Sequence, residues 1–138
     1  MKIRGLVFIM VAVAASFAPQ FVDMSSAQTG GYSAKLISPT LGQVVHPGQT
    51  VRVEWKSHLP NIDLGACEAE VWLSLDGGRT FVAWISPYLH PEGPKYFGWT
   101  VPKWPTNAAV MDVRFGCEPG YPESYAPQPA STFVIARQ

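Results

Sequence analysis

From Ala34 onward, apolar and polar residues alternate in short runs. In TVRVEWK (50–56), Val51, Val53 and Trp55 fall on one side of an extended chain and Arg52, Glu54 and Lys56 on the other. That period of two marks a strand with one face on a core and one in water. The same pattern predicts seven strands: 34–38 (AKLIS), 50–56, 67–75 (CEAEVWLSL), 80–85 (TFVAWI), 95–101 (KYFGWTV), 109–117 (AVMDVRFGC) and 131–136 (STFVIA). Pro47-Gly48, Gly77-Gly78 and Pro119-Gly120 supply turns between them. No segment is long or periodic enough for a strand–helix–strand unit, so the expectation is an all-β domain, a single antiparallel sandwich, with a small closed barrel as the alternative.

Seven strands in about 110 residues is the count of an immunoglobulin-like or fibronectin type III-like sandwich. In such a sandwich the third and sixth strands are antiparallel neighbours. Pairing Cys67 with Cys117 then sets Ala69 against Phe115, Val71 against Val113 and Leu73 against Met111 on the buried face. On the other face Glu70 meets Arg114, an opposite-charge pair. A slip of one residue turns these pairs inside out. The register therefore predicts a structural disulfide between Cys67 and Cys117, two thiols being too few for a structural zinc site.

The chain opens on Lys2 and Arg4, an apolar run from Gly5 to Ala18, and a stretch ending Ser25-Ser26-Ala27. This reads as a signal peptide over 1–27, cleaved before Gln28, with an uncleaved anchor as the rival. Residues 28–33 read as a flexible N-terminus and 34–138 as the folded domain. An exported chain favours an oxidised cysteine pair, and its address is secreted, either periplasmic or extracellular. Without the leader, eight Lys and Arg stand against nine Asp and Glu. That balance offers no basic field to a nucleic acid or an anionic membrane, and no later segment reads as membrane-inserting. The totals leave the oligomeric state open.

Ser74-Leu75-Asp76-Gly77-Gly78-Arg79-Thr80-Phe81 fits Ser-x-Asp-x-Gly-x-Thr-aromatic, the Asp-box of sialidase-type propellers. One copy in so short a chain excludes a propeller, whose blades repeat every 40 residues or so. The run reads instead as a hairpin turn, with Asp76 accepting hydrogen bonds from the turn's own backbone. SPTLGQVVHPGQTVRVEW, followed by SLDGGRTF and GWTVP, resembles the immunoglobulin-like or fibronectin type III-like domains of secreted bacterial proteins. More loosely it is similar to the N-terminal domain of the yeast Ser/Thr-rich cell-wall family. The resemblance spans 36–136, implies surface or cell-wall association, and carries no catalytic residues to transfer.

Following the strands up and down gathers three long connections at one end: 57–66, 86–94 and 118–130. Loops on a rigid sandwich are the usual carriers of recognition. Tyr121 and Tyr125 in the last, and Tyr88 in the second, are binding candidates; packing over the open end of the core is the alternative for the last loop. Trp55 and Trp99 have core parity, and Trp104 reads as a cap on the opposite end. Trp72 and Trp84 fall on outer faces, Trp84 opposite Phe81, Ala83 and Ile85; the two tryptophans, binding candidates together with Arg114, make an exposed aromatic platform or cover each other beside the stem of Arg114. His58 and His90 are weak metal candidates in neighbouring loops, but no ligand spacing accompanies them. Glu68 and Glu70 share a face, which reads as a solvated strand surface before a glycosidase pair. No nucleophile motif, phosphate loop or cofactor signature occurs. The expectation is a secreted non-enzymatic module, without cofactor, that binds a protein or carbohydrate. The alternatives are a structural module of an envelope complex and, behind it, a periplasmic metal-binding protein.

Overall fold

The computed structural model describes residues 31–118, 120–124 and 131–138. The expected leader, residues 28–30 and Tyr125 lie outside them. The described residues form nine strands: β1 (Ser33–Ser38), β2 (Val44–Val45), β3 (Thr50–His58), β4 (Cys67–Ser74), β5 (Ala83–Trp84), β6 (Tyr96–Thr100), β7 (Thr106–Cys117), β8 (Tyr121–Ser124) and β9 (Phe133–Ile135). Two sheets pack together. One has the order β1-β3-β6; the other runs β2-β9-β7-β4-β5, with β8 also paired to β7.

The alternation seen in the sequence builds the core between them. Val51, Val53 and Trp55 of β3 meet Val71 and Leu73 of β4 and Met111 and Val113 of β7 in one buried cluster that also holds Trp99, Phe133 and Ile135. β4 and β7 are antiparallel in the expected register, Cys67 opposite Cys117, Ala69 opposite Phe115, Glu70 opposite Arg114, Val71 opposite Val113 and Leu73 opposite Met111. Cys67 and Cys117 form a disulfide. The bond closes a 50-residue separation, which in the chain-entropy account contributes on the order of 4 kcal/mol by restricting the unfolded chain. It also points to a non-reducing, extracytoplasmic setting. Among the described residues no helix is long and apolar enough to cross a membrane.

The strands depart from the expected pattern in three places. First, the expected strand 80–85 shrinks to Ala83–Trp84, because the turn chemistry of Ser74–Thr80 extends further than a tight hairpin. Second, two short strands lie inside expected loops: β2 runs parallel to β9, and β8 folds back on the end of β7. Third, the domain starts before Ala34. Tyr32, expected in a flexible stretch, is buried, stacks on Phe115 with ring centroids 5.1 Å apart, and donates its hydroxyl to the Val113 carbonyl at 2.9 Å. Burial, with the nearby Asp112 as a lesser cause, pushes its phenol well above the ordinary tyrosine range.

The long connections do converge. His90 Nε2 lies 3.0 Å from the Leu64 carbonyl, and the Glu118 amide donates to the Ala66 carbonyl at 3.2 Å beside the disulfide. Beyond the two residues of β5, the free edge of β4 is covered by the second connection: the Ala69 amide donates to the Leu89 carbonyl and the Val71 amide to Ser86 Oγ.

Candidate functional site

The outward-facing positions of β4 and β7 form the floor of a cavity of about 410 Å3. Glu68, Glu70 and Trp72 come from β4, Arg114 and Gly116 from β7, and β8 with its preceding turn raises a wall carrying Glu118, Tyr121 and Glu123. The site therefore lies on a sheet face flanked by the third long connection, and not at the loop tips.

Arg114 is its centre. The guanidinium carbon stands 4.5 Å from the Trp72 ring and 4.9 Å from the Phe81 ring, so two aromatic faces hold it. Its Nε donates to Asp112 Oδ2 at 3.2 Å, and one terminal nitrogen reaches to 3.9 Å from Glu123. The side chains of Arg114 and Asp112 are 12% and 1% exposed. An ion pair this sheltered is costly to break, since the survivor is left charged and desolvated. Asp112 has outward parity on its strand, and its burial gives Arg114 a fixed counter-charge.

The turn between β4 and β5 supplies Phe81. Ser74 Oγ donates to Asp76 Oδ1 at 2.8 Å, and the Gly78 amide donates back to Ser74 Oγ at 2.9 Å. Thr80 donates both its amide, at 2.9 Å, and its hydroxyl, at 2.7 Å, to the Asp76 carboxylate. These bonds from Thr80, with that from Ser74, pull the Asp76 carboxyl down to about 2. Gly77 and Gly78 take φ of 77° and 86°, a region that side chains with a Cβ avoid. The turn continues the pairing of β4 with β7, its Gly77 amide bonded to the Ala108 carbonyl at 2.8 Å. Phe81, expected on the buried side of a longer strand, lies against the Arg114 guanidinium instead.

The cavity is acidic. Glu68, Glu70, Glu118 and Glu123 face it, while the charge of Arg114 is already matched by Asp112. Glu68 shows the result: partial burial, then the carboxylates of Glu70, Glu118 and Glu123, push its pKa up. Glu70, expected to pair with Arg114 across the strands, accepts a 2.7 Å hydrogen bond from Trp72 Nε1 instead. The acid two residues from Arg114 on its own strand meets the guanidinium through Nε, which leaves Glu70 to the indole.

The expected binding residues divide. Trp72, Arg114 and Tyr121 line the cavity; Tyr121 also packs edge-on against Phe115 at 5.2 Å. Trp84 lies across from Trp72, 49% exposed, with its indole N–H bonded to Ser86. The two do not form an open platform, because Arg114 occupies a face of Trp72. Tyr88 is exposed in the second connection and is not among the residues lining the cavity. Trp104 is half exposed over a shallow apolar depression with Leu75, Val82 and Pro105, and does not close the core as a cap.

The two histidines are separated in role. His58 ends β3, paired with Ser33 on the small sheet, and is exposed. His90 has both ring nitrogens engaged, Nε2 with Leu64 and Nδ1 accepting from the Glu92 amide at 3.3 Å. Among the described residues no group of three His, Cys, Asp or Glu gathers as a metal site would require. Sequence reasoning missed Asp112, Phe81, Glu118 and Glu123 as parts of this site. An Asp-x-Arg pair on one strand face is the available signal for the first of these. No protein-family model and no curated protein matches this chain.

Proposed function

We propose that this chain is a secreted, non-enzymatic binding module that grips a partner protein by a basic side chain seated in the cavity of β4, β7 and β8. One observation carries the reading: four carboxylates line a pocket whose guanidinium is already matched by Asp112, two residues along its own strand. A lysine or arginine entering there relieves the repulsion among the carboxylates and gains several charge-assisted hydrogen bonds. The walls are held in place by the disulfide, the Arg114 stack and the Asp76 turn, so little ordering entropy is lost on binding.

The strand order supports treating the sandwich as immunoglobulin-like or fibronectin type III-like. β1, β3 and β6 form one layer; β4, β7 and β9 form the other, with β5 at one edge and β2 beside β9. The disulfide and the sequence of the leader support export.

A carbohydrate is the second reading, favoured by Trp84, which stands half exposed one strand away from the carboxylates. Titration calorimetry separates the two. Short lysine-containing peptides should bind the exported chain and lose about tenfold in affinity in Glu68→Gln, at a half-buried carboxylate, and about threefold in Glu118→Gln, at an exposed one. Acetylated peptides should not bind. Neutral oligosaccharides binding with an affinity indifferent to these replacements would move the conclusion to a sugar. Association of the free chain with itself on dilution-series light scattering would move it to an assembly module.

A further inference from the structure

The outer face of the small sheet carries a second charged feature of opposite sign. Lys35 of β1 and Lys56 of β3 are directly opposed in the antiparallel register, and the next pair on that face is Ser33 with His58. Directly opposed residues bring their Cβ atoms to within about 5 Å, and like charges placed so destabilise a sheet. Lys35 and Lys56 are both exposed, and neither makes an ion pair among the described residues.

The other charges on this face do not balance them. Arg52 and Glu54 are bonded to each other at 2.8 Å, and Arg52 lies 3.7 Å over the Tyr96 ring. Glu54 is thus engaged by its own strand neighbour. Lys35, Lys56 and His58 together with Ser33, Ala34 and Ser57 line a shallow groove of about 300 Å3.

We infer that this groove is an anion site, taking one tetrahedral oxyanion, a phosphate or a phosphate ester, between the Lys35 and Lys56 ammonium groups with the His58 ring beside it. Two ammonium groups on flexible stems converge on a compact anion more readily than on a planar group. A dianion placed between them turns the Lys35–Lys56 repulsion into two attractions, so that the arrangement that costs stability in the free protein is what the ligand uses. The site is on the opposite layer from the acidic cavity and shares no residue with it. It stands or falls separately from the function of that cavity.

The test is an amide-resolved NMR titration of the exported chain with inorganic phosphate at low ionic strength. Saturable shifts confined to Ser33–Lys35 and Lys56–His58 are expected, with affinity falling about tenfold in Lys35→Gln or Lys56→Gln and vanishing in the double variant. The single variants should also melt about 1 to 3 °C higher than the parent without phosphate, as the repulsion is removed, and lose the parent's phosphate-induced rise. A structural role for the lysines predicts the opposite sign, a lower melting temperature. Vesicles carrying anionic phospholipid form a second arm: pelleting with vesicles that the double variant abolishes names a lipid headgroup as the source, and phosphate binding without pelleting names a free or soluble phosphate. Shifts scattered over all surface cations, no saturation with phosphate, or binding unchanged in the double variant would overturn the inference.

Discussion

The two outer faces of this sandwich carry the same construction in two environments. On the large sheet Arg114 lies two residues from Asp112 on β7 and stacks on Trp72, which stands directly across from that acid on β4. On the small sheet Arg52 lies two residues from Glu54 on β3 and stacks on Tyr96, which stands directly across from that acid on β6. Arginine, acid and aromatic ring occupy equivalent register positions. Burial separates them: the side chains of the first pair are 12% and 1% exposed, those of the second 54% and 36%. What differs locally is a cover. Phe81 closes over Arg114 from the Asp76 turn, whereas the residue across from Arg52 is Gly98, which leaves the guanidinium in solvent. The same three side-chain types thus anchor one face and merely decorate the other.

The largest effect should come from removing the buried cation. Arg114→Leu leaves the Asp112 carboxylate sheltered without its Arg114 counter-charge, at a cost of about 3 to 5 kcal/mol. Urea unfolding followed by tryptophan fluorescence reads it as a lower midpoint with unchanged slope. The double replacement Asp112→Asn with Arg114→Leu should recover much of that loss, because the penalty belongs to the buried charge that has lost its guanidinium and not to the missing attraction. A double variant as unstable as the single would mean that packing of the arginine stem, and not charge, holds this face.

Next in size is the cover. Phe81→Ala removes one of two rings against Arg114 and opens the pair to water, so a loss of about 1 to 2 kcal/mol is expected from the stack and the apolar area. It should also make the large-sheet triad behave like its counterpart, with stability that declines as salt is added. Salt independence in this variant would show that Phe81 is not what shelters the pair.

Arg52→Leu is the control on the other face. Its pair is solvent-screened and exposed, so the urea midpoint should stay within the scatter of replicate measurements. A midpoint shift approaching that of Arg114→Leu would erase the distinction drawn from burial.

Much of this contrast was latent in the chain and part of it was not. The β4–β7 register was legible because apolar residues recur at every second position on one face of each strand and a cysteine in each pins the offset; every other pair then follows. The outward parity of Trp72 and Arg114 and the place of Tyr121 in the third connection were legible, but the cavity they line was not. The burial of Asp112 was not, since alternation marks only which side a residue faces, and an outer face is solvated only until another segment covers it. Phe81 shows the same limit. Its parity with Ala83 and Ile85 argued for the core, but the carboxylate of Asp76 binds Thr80 through two hydrogen bonds and postpones the next strand until Ala83. Tyr32 was missed because a single aromatic residue ahead of the first alternating run leaves no period to read.

A further, pH-dependent effect concerns the turn that presents Phe81. The Asp76 carboxyl is held at about 2 in the folded chain, against 3.8 for the free group. Its contribution is therefore complete above the unfolded value and is lost as pH falls through the folded one, a window between about pH 4 and pH 2. The group is exposed, so solvent screens the effect, and it should be read as a difference in melting temperature and not as a large loss. Wild type should melt above Asp76→Asn at pH 6, and the two curves should converge by pH 2. Because Thr80 connects this carboxylate to Phe81, the same acidification should loosen the cover on Arg114. At pH 6, where Asp76→Asn lacks the charged carboxylate, the Arg114 Nε–H of that variant should exchange faster than that of wild type. Melting curves that stay parallel down to pH 2 would place the depressed carboxyl outside the folding equilibrium and detach the turn from the face it covers.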